Sequence, residues 1–260
     1  MEVGGRVALV TGASSGIGRA TARALATGGA DVCLVARRRD RLQELAVELR
    51  RTGARTAVHA LDLTDEGAAE TVVGGCIAEL GLLDLLVNCA GQGAHLPLRE
   101  VDAALARALF EINVVAPLLL MRAALPGMAA RHDGLIVNIG SNAARMGRPN
   151  VGVYAATKSA LETLSVSARV ELAELGIRVL IVSPGRTRSE FGATARRMDV
   201  AGAPPAAGLS PGGGPAVGAE LVAERILEAI ASETAWTAAP LQDDPNRVSP
   251  RSWDDNAGQR

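Results

Sequence analysis

Short apolar runs and longer amphipathic stretches alternate along the first two thirds of the chain. We interpret the apolar runs as strands at 6–11, 31–36, 55–60, 84–88, 134–140 and 177–183. Unbroken apolar runs of this kind are typical of parallel strands that are covered on both faces. The stretches between them predict a helix that follows a glycine-rich turn and ends at about Thr27, and further helices at 39–51, from Thr64 onward, at 98–130, 153–174 and 219–231.

This alternation predicts an α/β fold, a single-domain Rossmann fold with a doubly wound, mostly parallel sheet and helices on both faces. Right-handed crossovers place the carboxyl ends of all strands at one edge, where ligands bind. We assign residues 1–240 to one catalytic domain, with a mobile substrate loop at 199–218 rich in Ala, Gly and Pro. A weak apolar patch at Trp236 predicts a seventh strand, and the polar stretch 241–260 a poorly ordered tail.

The composition of the chain argues against several classes of protein, among them nucleic-acid-binding and membrane proteins. The chain has 27 basic and 28 acidic residues, so it lacks the net positive charge that attracts nucleic acid or anionic membrane. No apolar run approaches the ~18 residues of a membrane span. The three cysteines form no C-x-x-C pair, which predicts neither a metal site nor a disulfide framework and favours a cytoplasmic location.

A glycine-rich turn, Thr11-Gly-Ala-Ser-Ser-Gly-Ile-Gly18, joins the first strand to the first helix. Glycines allow the backbone to approach a pyrophosphate, and a helix N-terminus supplies free N–H groups and a positive dipole end. The alternative is a tight turn with a purely structural role. We predict that this turn binds a dinucleotide through Gly12, Ser14, Ser15, Gly16, Ile17 and Gly18.

Three arginines follow the second strand, at the position where a dinucleotide fold reads the adenosine ribose. No carboxylate stands there to bind a 2′-hydroxyl. We interpret Arg37 as the ligand of a 2′-phosphate, because a guanidinium binds phosphate through paired hydrogen bonds. Arg38 and Arg39 are interpreted as solvated residues at the start of a helix.

The remaining strand ends carry small or polar residues. Asp62 is predicted to accept a hydrogen bond from the adenine amino group, with a helix cap after Thr64 as the alternative. Cys89 is interpreted as a small packing residue, since no basic partner lies near it in sequence. The other residues that we predict to contact the dinucleotide are Leu63, Asn88, Ala90, Gly91, Pro184, Gly185 and Thr187.

Tyr154 and Lys158 are four residues apart and therefore share one face of a helix. A phenol has an ordinary pKa near ~10, and a nearby ammonium lowers it by stabilising the phenolate. The pair is thus a candidate general acid or base for a carbonyl oxygen. Ser141 ends the fifth strand, and its hydroxyl is positioned to bind the same oxygen.

Asn113 lies four residues before Pro117 in the long predicted helix. Proline has no N–H, so the Asn113 carbonyl lacks its usual helical donor and is predicted to accept from a water near Lys158. The alternative is a buried kink without a catalytic role.

Together these motifs resemble the short-chain dehydrogenase/reductase family over residues 5–190 and the helix near 219–231. The resemblance implies that Tyr154 is the acid/base, that Ser141 orients a carbonyl, that Lys158 holds the cofactor ribose, and that Asn113 holds a relay water. It also implies a dimer or tetramer built on the two helices that carry Asn113 and Tyr154. Cys89 and Gly140 depart from the family pattern, which usually has Asn and Ser at those positions.

The sequence therefore predicts an NADP(H)-dependent oxidoreductase acting on a small carbonyl compound or secondary alcohol. The alternatives are a non-catalytic nucleotide sensor and a related isomerase or lyase without net redox chemistry. The substrate pocket is predicted at 92–96, at 143–151 and after Gly185. Arg145, Arg148 and Arg186 permit an acidic substrate, although we interpret them as solvated.

Overall fold

Seven parallel strands form the central sheet of the computed structural model, which describes residues 1–188, 190–191, 196–197, 216–234 and 236–237. In chain order the strands of the described residues are β1 (Val7–Thr11), β2 (Asp31–Ala36), β3 (Thr56–Ala60), β4 (Leu85–Asn88), β5 (Ala94–His95), β6 (Gly134–Ile139), β7 (Ile177–Ser183), β8 (Thr187–Arg188), β9 (Arg196–Arg197), β10 (Val217–Gly218) and β11 (Trp236–Thr237).

The sheet order is β3-β2-β1-β4-β6-β7-β11, and every pair in it is parallel. The chain runs outward from β1 in one direction and then outward from β4 in the other. This reversal between β1 and β4 is the switch point of a doubly wound sheet, where a ligand cleft forms. The predicted fold is confirmed, and so is the seventh strand, because Trp236 pairs with Val182.

Helices cover both faces of the sheet. They are α1 (Gly16–Thr27), α2 (Arg39–Arg50), α3 (Ala68–Leu80), α4 (Ala103–Phe110), α5 (Ala116–Arg131), α6 (Gly152–Glu171) and α7 (Ala219–Ser232). Alternate strand residues point to opposite faces, so Ala8 and Val10 pack with α1, α2 and α7, whereas Val7 and Leu9 pack with α3 and α5. Both layers of the core are therefore built mainly from aliphatic side chains.

Helix α3 begins at Ala68 and not at Thr64, so the predicted start is wrong by four residues. The Asp62 side chain accepts hydrogen bonds from the backbone N–H and the hydroxyl of Thr64, at 3.0 and 2.8 Å. This local turn competes with helix formation. Gly67 then adopts a left-handed conformation, with φ of 73°, and the helix starts immediately after it.

The long helix predicted at 98–130 is divided. A 3₁₀ turn at Leu98–Glu100 ends before Asp102, whose carboxylate caps α4 by accepting from Leu105 N–H at 2.7 Å. A π turn at Glu111–Val115 then joins α4 to α5, directly before Pro117. The turn widens the helix at the point where proline removes a donor, and it places Asn113 at the widening.

Residues 103–131 are long and apolar enough, with mean hydropathy 1.7, to pass a length and composition test for a membrane helix. Leu109, Leu120 and Met128 in this stretch are buried within the protein core. A core helix passes the same test, and we interpret the stretch in that way.

Most of the predicted mobile loop at 199–218 and the whole predicted tail at 241–260 lie outside the described residues. The last loop residues, Val217 and Gly218, are described. They pair with Thr187 and Arg188 as a two-stranded sheet, so this end of the loop is tied to the segment after β7.

Candidate active site

The glycine-rich turn between β1 and α1 forms a backbone cradle. A Cβ on Gly18 would lie 2.5 Å from the Gly12 carbonyl oxygen, so only glycine permits this packing of helix against turn. Ser15 makes no side-chain cap within the described part of the chain, and the first turn of α1 holds no acidic residue. The free N–H groups and the positive end of the α1 dipole are therefore available to an anion.

Thr11 fastens this turn to the end of β4. Its buried hydroxyl oxygen accepts from the backbone N–H groups of Cys89 and Ala90, both at 2.9 Å. A Cβ on Gly12 would lie 3.0 Å from the Cα of Ala90, so the two turns are also in close contact. The floor of the cleft is thus fixed by backbone contacts between β1 and β4.

The arginines after β2 differ from their predicted arrangement. Arg37, the predicted phosphate ligand, has a side chain 76% exposed, and its guanidinium lies 3.5 Å from the Asp62 carboxylate. Arg38, which we expected to be solvated, donates from Nε and Nη2 to Ser14 Oγ at 3.2 and 3.0 Å. Its third contact is an ion pair with Glu190 at 2.7 Å. Arg38 is exposed at the start of α2, as the sequence predicts, but its guanidinium contacts Ser14 and Glu190 and not solvent alone.

Asp62 lies at the same end of the cleft. Burial opposes ionisation of its carboxyl, but hydrogen bonds from Thr64 and the charge of Arg37 outweigh burial and lower the pKa. The carboxylate caps the turn at Thr64 rather than a helix, which corrects one of the two roles considered from the sequence. Leu63 is buried in the core and also lines the cleft.

Of the predicted residues after β4, Ala90 and Gly91 line the cleft and Asn88 does not. The Asn88 side chain is buried and donates to Asn138 at 2.8 Å. Asn138 in turn donates to Ser165 at 2.9 Å, so the three residues connect β4, β6 and α6 inside the core. The position of Asn88 in the structure is that of a core residue.

Gly91 brings the catalytic candidates together. A Cβ at this position would lie 2.8 Å from Asn113 Oδ1 and 3.6 Å from Lys158 Nζ. The absence of a side chain lets the β4 turn pass between α6 and the π turn. Any larger residue would force these two side chains apart.

Tyr154, Ser141 and Lys158 meet at the opposite end of the cleft from Arg37. Burial raises the pKa of Tyr154, and a hydrogen bond with Ser141 partly offsets this. Lys158 is buried, donates to the Ile139 carbonyl at 2.8 Å, and has a pKa lowered by burial to about 8. The expectation that an ammonium lowers the pKa of Tyr154 is therefore wrong for the protein without ligand, since desolvation dominates at the phenol.

The Asn113 side chain is fully committed to hydrogen bonds. Its oxygen accepts from Gln92 N–H at 2.9 Å, and its nitrogen donates to the Gln92 carbonyl and to Thr157 Oγ1 at 2.9 and 3.0 Å. Thr157 then donates to the Tyr154 carbonyl at 2.7 Å. This chain of bonds connects the π turn to the part of α6 that carries the catalytic candidates, and the sequence alone gave no indication of Thr157.

The segment after β7 closes the cleft. Pro184 accepts from Asn142 N–H at 3.1 Å, which holds the segment beside Ser141. The ring of Phe191 lies 5.8 Å from the ring of Tyr154, at an angle of 53°. Phe191 follows the predicted Pro-Gly turn by only six residues, yet sequence reasoning missed it because no periodic pattern marks its position.

Two departures from the family pattern have local explanations. A Cβ on Gly140 would lie 2.4 Å from Ser183 Oγ, so the Ser183 side chain occupies the space that a residue at 140 would need. Burial raises the pKa of Cys89 to about 12, with an opposing effect from Lys158. This supports the interpretation of Cys89 as a packing residue and not a nucleophile.

These elements enclose a cleft of about 850 Å³ along the carboxyl edge of the sheet. Predicted residues that line it are Gly12, Ser14, Ser15, Gly16, Ile17, Gly18, Arg37, Asp62, Leu63, Ala90, Gly91, Ser141, Tyr154, Lys158, Pro184, Gly185 and Thr187. The cleft also reaches Gln92 and Arg186 of the predicted substrate pocket. Arg145 is ion-paired with Glu162, so its charge is already balanced.

A sequence model of the short chain dehydrogenase family matches residues 6–199. The chain is 38% identical over 194 residues to a short chain dehydrogenase of Pseudocercospora fijiensis, an alignment that covers 74% of this chain and 63% of that protein. The protein therefore belongs to the short-chain dehydrogenase family, and it spans less than two thirds of the length of this relative.

Solved structures of the family show the same fold with either nicotinamide dinucleotide. A short-chain dehydrogenase/reductase of Burkholderia phymatum in complex with NAD is similar with a TM-score of 0.80 and 25% identity, over 91% of this chain and 89% of that one. A short-chain dehydrogenase of Sphingobium yanoikuyae in complex with NADPH has a TM-score of 0.78 and 28% identity, over 91% and 89%. Similarity alone thus supports a nicotinamide dinucleotide without selecting one.

Proposed function

We propose that the protein is an NADP(H)-dependent oxidoreductase that interconverts a small carbonyl compound and the corresponding secondary alcohol. The observation that carries the proposal is the placement of Tyr154, Ser141 and Lys158 in the same cleft as the glycine-rich cradle. An anion-binding cradle and a proton-transfer group on one surface are the two requirements of this chemistry.

The cradle fits a dinucleotide. The close approach of Gly12 and Gly18 leaves no room for side chains over the turn, and the uncapped start of α1 offers its N–H groups to a pyrophosphate. When bound, the nicotinamide group supplies or accepts a hydride. Gly91, Lys158 and Thr187 line the part of the cleft beyond the cradle, where we place its ribose and carboxamide.

The preference for the phosphorylated cofactor is proposed from the adenosine end. No carboxylate stands at the end of β2 to bind a 2′-hydroxyl. Two guanidinium groups, of Arg37 and Arg38, line this end of the cleft. A 2′-phosphate there would receive charge-assisted hydrogen bonds, which are stronger than neutral ones.

Proton transfer is assigned to Tyr154. A phenol with an ordinary pKa near ~10 is protonated at neutral pH. Burial raises the pKa of Tyr154 further, so the phenol holds the proton that a carbonyl oxygen would receive. Ser141 is hydrogen-bonded to it and is placed to bind the same oxygen. The side chains of Asn113 and Thr157 hold the turn of α6 that carries Tyr154. We assign the backbone carbonyl of Asn113 to a relay water that leads to Lys158.

The test is steady-state turnover with a panel of ketones, aldehydes and secondary alcohols, followed by the absorbance of NADPH and of NADH in parallel. We expect turnover with NADPH on at least one aliphatic ketone. Binding of NADPH without any turnover would favour a nucleotide sensor, and product formation without a change in NADPH would favour an isomerase or lyase.

We further infer a homo-oligomer in the cytoplasm. The outer faces of α5 and α6 expose Leu118, Val166 and Val170, of which Val170 is 73% exposed. The three cysteines are free thiols, which suits a reducing compartment. Sedimentation velocity of the wild type and of V170E measures the assembly, and a monomer in both would contradict the inference.

A further inference from the structure

An ion pair between Glu190 and Arg38 connects two segments that line the cleft. Arg38 follows β2, and Glu190 follows β7, so the partners come from strands separated by β1, β4 and β6 in the sheet. The carboxylate oxygen lies 2.7 Å from Arg38 Nη1. The pair therefore lies over the glycine-rich turn, which Arg38 contacts at Ser14.

The surroundings of Glu190 are those of a bound anion. The hydrogen bond and charge of Arg38, together with the charges of Arg41 and Arg19, hold the pKa of the Glu190 carboxyl below its ordinary value. One guanidinium thus binds the Glu190 carboxylate directly, and the charges of two more act on it. Phosphate groups of ligands are bound by clusters of the same kind.

We infer that Glu190 is a specificity-determining residue that competes with the 2′-phosphate of the cofactor for Arg38. The inference rests on the proposed use of NADP(H). Two of the Arg38 donors are committed to Ser14 and one to Glu190. A phosphate that reaches this guanidinium must displace or share with the Glu190 carboxylate, and the two anions repel each other.

The pair between Glu190 and Arg38 is not expected to contribute much to folding stability. Both side chains are nearly half exposed, at 44% and 46%, and exposed pairs contribute little to folding stability. The consequence of losing the carboxylate should therefore appear in cofactor affinity and not in the thermal unfolding midpoint. Glu190 would lower the affinity for the phosphorylated cofactor while leaving the affinity for the other unchanged.

The experiment measures the dissociation constants of NADPH and NADH by cofactor fluorescence for wild type, E190Q and the control E70Q. Glu70 forms an exposed pair with Arg122 at the same 2.7 Å distance but away from the cleft. We expect E190Q to bind NADPH about two- to fivefold more tightly, the range expected for an exposed charge pair. Its NADH affinity should be unchanged, and E70Q should match the wild type for both cofactors.

A double-mutant cycle with R38A tests whether Glu190 affects NADPH binding through Arg38. The gain from E190Q should disappear in the R38A background if the carboxylate acts through Arg38. An undiminished gain in that background, or an NADPH affinity in E190Q that is unchanged or weaker, would overturn the inference.

The same titrations separate this inference from the proposed function. Equal affinities of the wild type for both cofactors, combined with a gain for NADPH alone in E190Q, would refute the proposed preference and support the role of Glu190. A wild-type preference for NADPH that E190Q leaves unchanged would support the proposed preference and refute the role of Glu190.

Discussion

Where the parallel strands begin, charged side chains pair with one another, and where they end, polar groups are left for a ligand. At the beginning, Arg6 lies 2.8 Å from Asp133, and Arg178 lies 2.5 Å from both Asp133 and Glu233. The N-terminal amine adds a further contact to Glu233 at 3.1 Å. At the other edge, the start of α1 is uncapped and Lys158 is buried with a lowered pKa.

The difference shows how one sheet separates stability from chemistry. Charges that are satisfied by partners connect the N-terminal amine, the residues just before β1 and β6, the start of β7 and the residue after α7. A binding site instead requires groups such as the N–H groups of α1, which have no partner within their own helix, and titratable groups such as Lys158, whose pKa burial has shifted. Substitutions at the two edges should therefore change different measured quantities.

The largest expected effect is at the carboxyl edge, from Y154F. The change removes one hydroxyl, so the fold and cofactor affinity should be nearly unchanged, while loss of a general acid lowers turnover by about 10²–10⁴. Steady-state rates and a thermal melt of the same preparation check both parts. Retention of more than a third of the wild-type turnover would remove Tyr154 from this role.

The next effect belongs to the amino edge, from D84A. The buried Asp84 carboxylate accepts from Val7 N–H at 2.9 Å and lies 3.5 and 3.6 Å from Arg6 and Arg131. Its removal leaves a buried donor unpaired and should lower the free energy of unfolding by about 2–3 kcal/mol. Urea unfolding measures the loss, and kcat/KM at a temperature where the variant is folded serves as the control, expected to equal that of the wild type.

The third effect compares two arginines at the carboxyl edge. Because Arg37 is largely exposed and Arg38 is held against Ser14, R38A should weaken NADPH binding about tenfold, and R37A only about two- to threefold. NADH binding should be unaffected by either change. An equal or larger loss in R37A would show that the exposed guanidinium closes onto the phosphate when the cofactor binds.

The smaller of the two expected effects on turnover tests whether Thr157 positions Tyr154 at the carboxyl edge. T157V removes the hydroxyl that accepts from Asn113 and donates to the Tyr154 carbonyl. Loss of one hydrogen bond, about 1 kcal/mol, should lower kcat about fivefold and leave KM unchanged. T157S should restore the rate, and a T157V enzyme with wild-type kcat would contradict a positioning role.

Sequence reasoning recovered the features that depend on local pattern. Apolar runs such as 177–183 defined the strands, and the order of the fold then placed Gly12, Ser141 and Tyr154 at one edge, since every parallel strand ends there. The helix before Asn113 was harder, because neither the cap at Asp102 nor the π turn changes the apolar period around it. The turn between Asp62 and Thr64 likewise could not be predicted, because the helical pattern of the sequence continues through it.

Contacts between distant segments could not be predicted in this way. Glu190 is separated from Arg38 by 152 residues, and although it lies three residues after Thr187, no periodic pattern marks it. Thr157 lies beside Lys158 on α6, but its partners depend on how the π turn packs against that helix. The burial that raises the pKa of Tyr154 is also a property of the assembled cleft and not of the spacing of Tyr154 and Lys158.

Tyr154 is the only tyrosine among the 260 residues. Its phenolate has an ultraviolet absorption distinct from that of the phenol, and the two tryptophans do not ionise. A spectrophotometric pH titration of the whole protein therefore reports the ionisation of this one group without isotope labelling or a second mutation. Since burial raises its pKa, the absorbance change should be centred at a higher pH than that of a free tyrosine, and any ligand that stabilises the phenolate would shift it to lower pH.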